Sequence, residues 1–277
     1  MSFTLLLNSS NVVGSNNNTY QYKFTNGSFK IPEGSEMAIS QVTIPYSWYN
    51  ITAQYGNTSF TLLWPSGDGG TYYIPDGFYT VSDLNNYIQQ LCISSGWYLV
   101  DSSGNNVYYI NFSTNANYYK VQLLLFPVPT SLPAGYTAPS NFAGFPSTTK
   151  SPFFGLSSSG SIASVIGFPA TSTLYGGSSV SNSILSSTTP NLTQVNSLTM
   201  RCSLVNNNVA MPTDILDAIP INTTFGSNIN YAPNYEKWVK ISSGSFNNFT
   251  ISLSDQNLNN LYALDSNVSI TLLIRTP

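Results

Sequence analysis

The sequence predicts an all-β protein: an antiparallel single jelly-roll sandwich with one short helix and a Pro/Gly/Ser/Thr-rich insertion. Three observations lead there. Apolar and polar residues alternate over many short stretches, 19 Gly and 16 Pro break the chain between them, and one stretch alone has helical periodicity. A hydrophobic fraction of 42% with 14% aromatics supplies a core, which separates the chain from the disordered class.

Tyr20, Tyr22 and Phe24 alternate with Gln21, Lys23 and Thr25. The Asn26-Gly27 turn that follows leads into Phe29 and Ile31, so the stretch reads as a hairpin. Between Met37 and Ile44 the apolar positions change parity, as a bulge or a strand buried on both faces requires. Pro75-Asp76-Gly77 is a turn, and a helix begins after it. Thr80 is its N-cap, Asp83 completes a capping box, Tyr79 can staple over Leu84, and Gly96 is the stop. Leu84, Tyr87, Ile88 and Leu91 form its apolar stripe. Further strands are expected at Leu198, Met200, Cys202 and Leu204, at Phe249, Ile251 and Leu253, and at Val268, Ile270, Leu272 and Ile274. From Pro127 to Asn196 the texture shifts to Pro, Gly, Ser and Thr with Lys150 as the only charge, which predicts an insertion with a few short strands. The expected division is a jelly-roll core from residues 1–126 and 197–277, with 127–196 as the insertion.

Composition removes whole classes of function. With no histidine and two cysteines among 277 residues, most side chains that move protons near neutral pH or hold transition metals are missing. No catalytic, cofactor-binding or metal-binding residue is expected, and the protein is read as not an enzyme. Ser147-Thr148-Thr149-Lys150 matches Ser-x-x-Lys by spacing, but it lies between Pro146 and Pro152 without the companion motifs of that hydrolase class. Asp214 and Asp217 have no third acid near them in sequence and read as a solvated turn. Eight scattered Lys and Arg against 11 Asp and Glu, net charge -3, argue against direct nucleic-acid binding. Phe3 to Leu7 is too short for a signal-peptide core, no run reaches the length of a membrane span, and Cys92 and Cys202 read as buried thiols. At 7% charged residues the surface has little self-repulsion and suits packing against copies of itself. Aromatic pairs at Trp97-Tyr98, Tyr108-Tyr109 and Tyr118-Tyr119 predict one buried and one exposed ring each, with exposed rings available to a sugar or a protein partner.

An ordered set of segments points to a family. Ile31-Pro32-Glu33-Gly34-Ser35, then Ile44-Pro45-Tyr46-Ser47-Trp48-Tyr49-Asn50-Ile51, then Ile74-Pro75-Asp76-Gly77-Phe78-Tyr79 leading to Asp83-Leu84, resemble the penton (vertex) capsid proteins of virophages, Polinton-like viruses and related large DNA viruses. The C-terminal part is similar too, through Ser197 to Leu204, Asp214-Ile215-Leu216, Ala218-Ile219-Pro220, Trp238, Gly244-Ser245-Phe246, Ser252 to Gln256 and the strand Val268 to Ile274. The likeness spans residues 20–126 and 195–275. It implies a virion structural protein, made in the infected host cell. Its place would be in a homopentamer at icosahedral vertices beside the major capsid protein, with the insertion outward and no cofactor. The alternative is an attachment module for a host-surface glycan or receptor. Tyr46, Trp48 and Asn50 are the subunit-interface candidates by their place in the shared motif, with packing inside the subunit as the competing explanation.

Overall fold

The computed structural model describes residues 2–277, which divide into two compact units, residues 2–48 with Val195–Pro277 and Tyr49–Gln194. The first unit contains eight principal strands: β1 Ser2–Asn8, β2 Thr19–Lys23, β3 Glu36–Pro45, β4 Ser197–Cys202, β5 Ile215–Pro220, β6 Asn228–Tyr231, β7 Asn248–Asp255 and β8 Ser269–Arg275. One sheet has the order β1-β8-β3-β6 and the other β5-β4-β7-β2, antiparallel throughout. First strand pairs with last, second with seventh, third with sixth and fourth with fifth. That nested pairing is the jelly roll, and Tyr49–Gln194 is inserted between β3 and β4.

Alternation explains the strands. Ile270, Leu272 and Ile274 on β8, Phe249, Ile251 and Leu253 on β7, and Leu198, Met200 and Cys202 on β4 are all buried. The parity change in β3 is a bulge: Thr271 lies opposite Gln41 and Leu272 opposite Ile39, so Ser40 is the extra residue. Met37 and Ile39 before it and Val42 and Ile44 after it are therefore all buried.

The predicted hairpin at Asn26-Gly27 is corrected. The turn exists, with Gly27 at φ 80 and its N–H donating to the Phe24 carbonyl. The flanking strands separate, however: β2 joins β7, and Phe29–Ile31 joins Gly244–Phe246. The turn is a corner between sheets, where the Phe24 and Phe29 rings stack 5.2 Å apart.

In the inserted unit, Asn57–Leu63 pairs with Gly69–Tyr73 on one side and with Phe153–Gly155 and Gly160–Ser161 on the other. Ile110–Asn115, Lys120–Leu125 and Asn182–Leu185 form a second sheet. Helix α1, Val81–Ser95, packs on Ile110–Asn115 and starts and stops as its sequence predicts. The Thr80 hydroxyl accepts from the Asp83 N–H at 3.2 Å, and the Asp83 carboxylate accepts from the Thr80 N–H at 2.9 Å. Gly96 closes the helix at φ 68, where a Cβ would lie 2.0 Å from the Asn141 carbonyl oxygen. A second helical turn, Ala163–Ile166, was not foreseen.

These pairings move the expected domain boundary. Residues 49–126 fold with 127–194 and not with the jelly roll. The late strands supply edges to sheets begun by early ones, and Phe60, Phe112 and Phe154 share one core, with centroids 5.8 Å and 5.0 Å from Phe154 to the other two. The Pro/Gly/Ser/Thr texture marks where connections lengthen, which is not where the unit begins.

Candidate assembly surface

Tyr46, Trp48 and Asn50 offer no surface to a neighbouring copy: they are 3%, 2% and 3% exposed. Tyr46 packs 4.5 Å from Trp48 and 5.8 Å edge-on to Phe225. The Trp48 indole N–H has no hydrogen-bond partner among the described residues, so packing holds that side chain. In the inserted unit Asn50 acts as a latch. Its Oδ1 accepts from the Tyr79 N–H at 2.8 Å, while its Nδ2 donates to the Tyr79 carbonyl at 2.8 Å and the Leu192 carbonyl at 2.9 Å. The Gln194 Nε2 donates to the Asn50 carbonyl at 3.0 Å, so both ends of the unit are tied at one residue. Within the chain, packing surrounds Tyr46 and Trp48 and hydrogen bonds hold Asn50, which is the competing explanation for their place in the shared motif.

The other polar groupings separate in the structure. Ser147 and Lys150 are exposed and lie outside any helix. Asp214 pairs with Arg201 at 2.8 Å, and Asp217 pairs with Lys237 at 2.9 Å while accepting from the Tyr231 hydroxyl at 2.6 Å, so the two acids do not share a site. Asp83, Asp101, Asp255 and Asp265 hold backbone N–H groups in caps and turns, Asp76 holds Thr52 and Ala53, and Asp68 takes the Trp97 indole N–H. Hydrogen bonds from Thr80 hold the Asp83 carboxyl below its ordinary value. Among the described residues no group of three or more His, Cys, Asp or Glu is placed to hold a metal, and no helix is long and apolar enough to cross a membrane. Cys92 and Cys202 are free and buried, and burial pushes both thiols up to about 12.

Two of the aromatic pairs keep the expected buried ring, but its neighbour is half-buried and not exposed. Trp97 and Tyr109 are buried while Tyr98 and Tyr108 are half-buried. Tyr118 and Tyr119 are both exposed, because they occupy the turn between two strands, with Tyr119 at φ 51, and strand alternation does not apply there.

Two features of the jelly roll stand out on opposite edges of the β1-β8-β3-β6 sheet. At the β1 edge an apolar groove of about 410 Å³ is lined by Ser2, Phe3, Thr4, Leu5, Tyr22, Phe24, Phe29 and Ile274. At the other edge β6 pairs with one half of β3, and Val239–Lys240 pairs with the start of the same strand. Residues 232–238 loop out between them. The loop is anchored at its base by Tyr231 and Lys237 on Asp217, and by the Trp238 ring, which lies 4.2 Å from the Arg275 guanidinium that pairs with Glu36. Hydrogen bonding to Asp217 raises the Lys237 ammonium above its ordinary value. Sequence reasoning had singled out Trp238 but not the loop, because its anchors lie far apart in the chain.

The architecture defines a jelly-roll protein with a β-rich insertion between its third and fourth strands. No protein family and no curated protein matches the chain. Solved structures similar to it include two from virophages. The mavirus penton protein, as a selenomethionine-labelled crystal structure, aligns at 11% identity and a TM-score of 0.43 over 100% of this chain and 99% of that one. A chain of the Sputnik virophage structure solved by cryo-EM aligns at 11% identity and a TM-score of 0.38 over 99% and 96%.

Proposed function

We propose that this is a structural capsid protein that assembles with copies of itself as a ring of five at icosahedral vertices. The major capsid protein would surround the ring and the inserted unit would face outward. The observation that carries the reading is a jelly roll in which Glu36, Asp214, Asp217, Asp255 and Asp265 are engaged internally and whose exposed side chains include the apolar Leu6, Val209, Met211 and Tyr235. Such side chains resist little when copies approach. The ordered segments that resemble vertex proteins support the same assignment. Five-fold closure requires a heterologous contact, in which different patches of each subunit meet. Native mass spectrometry of the purified protein tests it: the expected species is five times the 30.1 kDa chain mass. A chain that stays at 30.1 kDa at every concentration, together with particles whose corners are built from another polypeptide, would overturn it.

Attachment to a host-surface glycan or receptor is a second reading, favoured by the exposed Tyr118-Tyr119 tip. Glycan-array binding by the assembled protein that disappears in Tyr118→Ser/Tyr119→Ser would support it, and an array without hits would dispose of it.

A further inference from the structure

Asn26-Gly27 is the only asparagine-glycine step in the chain, and Asn26, Gly27 and Ser28 are all exposed at the corner between the sheets. One hydrogen bond closes the turn, the Gly27 N–H donating to the Phe24 carbonyl at 3.1 Å. The Asn26 side chain holds no hydrogen bond among the described residues, so its amide carbon is free to swing toward the next backbone nitrogen. Glycine makes that nitrogen reachable. Without a Cβ it is unshielded and its backbone passes through conformations closed to other residues, and Gly27 already sits at φ 80.

Comparable positions elsewhere are held. Asp68-Gly69 and Asp76-Gly77 also precede glycine, but Asp68 accepts from the Trp97 indole N–H at 3.1 Å, and Asp76 accepts from the Thr52 hydroxyl and the Ala53 N–H, both at 2.8 Å. Their carboxylates are also poorer electrophiles than an amide. Asn50 and Asn57 are buried, hydrogen-bonded and followed by the β-branched Ile51 and Thr58.

We propose that Asn26 is a site of spontaneous covalent modification by water, converting to aspartate and isoaspartate in the folded protein. The Gly27 nitrogen gives its proton to a solvent base and bonds to the Asn26 side-chain carbon. The bond from that carbon to Nδ2 breaks, and ammonia leaves with an equivalent proton. Water then opens the cyclic imide, at the side-chain carbonyl to give aspartate or at the main-chain carbonyl to give isoaspartate. Overall one water enters and one ammonia departs, with no change of oxidation state. The fold controls one step, release of the Gly27 N–H from the Phe24 carbonyl, and a surface turn opens locally without unfolding the sheets.

The product matters to the corner. Both forms add a negative charge, and in isoaspartate the main chain runs through the side-chain carbon, which lengthens the path between Phe24 and Phe29. Those rings stack 5.2 Å apart, and the strand Phe29–Ile31 continues into its pairing with Gly244–Phe246. None of this depends on the self-assembly reading.

The test incubates the full chain at mildly alkaline pH in water labelled with heavy oxygen and maps its peptides over time. The expected result is an acid at position 26, carrying one heavy oxygen, before any other asparagine has converted. Conversion should be about fivefold slower in the native protein than in urea, the factor by which one hydrogen bond restrains the Gly27 nitrogen. Asn26→Ser, which keeps a residue suited to turns, should lack the early product while melting as wild type does. The isoaspartate fraction should melt below Asn26→Asp, which carries the charge on a main chain of ordinary length, and equal melting would overturn the effect on the corner. If another asparagine converts first, if the acid carries no heavy oxygen, or if native conversion is slowed by the whole unfolding equilibrium, the proposal is wrong.

Discussion

Replacing Asn50 distinguishes its role as an internal latch from a role between subunits. Asn50→Ala removes three hydrogen bonds of 2.8, 2.8 and 2.9 Å and leaves the Tyr79 N–H, the Tyr79 carbonyl and the Leu192 carbonyl without that partner. At about 1 kcal/mol net for each bond, and more where a buried group stays unsatisfied, the expected loss is about 3 to 5 kcal/mol. Asn50→Asp should be worse near neutral pH: a carboxylate can still accept from Tyr79 but turns its second oxygen toward two carbonyls. Protonation restores one donor, so this variant should recover partly on acidification. Urea unfolding of the isolated chain gives the overall loss, and hydrogen exchange at the Tyr79 amide gives the local one. A change in stability within about 0.5 kcal/mol, the range of ordinary surface substitutions, with Tyr79 protection intact, would refute the latch. If that same variant lost assembly, the original interface reading of Asn50 would return.

Other expectations are equally direct. Thr80→Ala should cost about 1 kcal/mol through the α1 cap. Because Asp83 titrates below its ordinary 3.8, its share of the cap is present above 3.8 and is lost as pH falls through the lowered value, a dependence that circular dichroism should detect and Asp83→Asn should remove. Both thiols, pushed up to about 12, should resist a thiol reagent at pH 8 in the native protein and react fully in denaturant; rapid native labelling would contradict their burial. Lys237 titrates above 10.5, so its contact with Asp217 contributes below that pH and is lost as pH rises through the raised value. The Trp238 signal should therefore change at alkaline pH, and in Lys237→Met it should lose that dependence.

The elements were legible where the signal is local. The Thr80 cap, the Gly96 stop, the parity change that became the Ser40 bulge and the buried face of Cys202 each depend on a few neighbouring residues, and each stands as read. The Asn26-Gly27 turn formed too, but its strands went to different partners, because a turn signal says nothing about which ladder buries more apolar surface. The site was less legible. Tyr46, Trp48 and Asn50 could be singled out by motif, yet whether such residues face a neighbour or their own core depends on segments as distant as Leu192 and Phe225.

The sequence by itself determined an all-β chain poor in charge and without histidine, because composition and short-range alternation need no partner to be read. Only the tertiary structure decided that first strand meets last, that the inserted unit begins at Tyr49, and that two ion pairs brace the loop carrying Tyr235. Those choices are made by burial summed over the whole molecule, where residues hundreds of positions apart compete for the same neighbours.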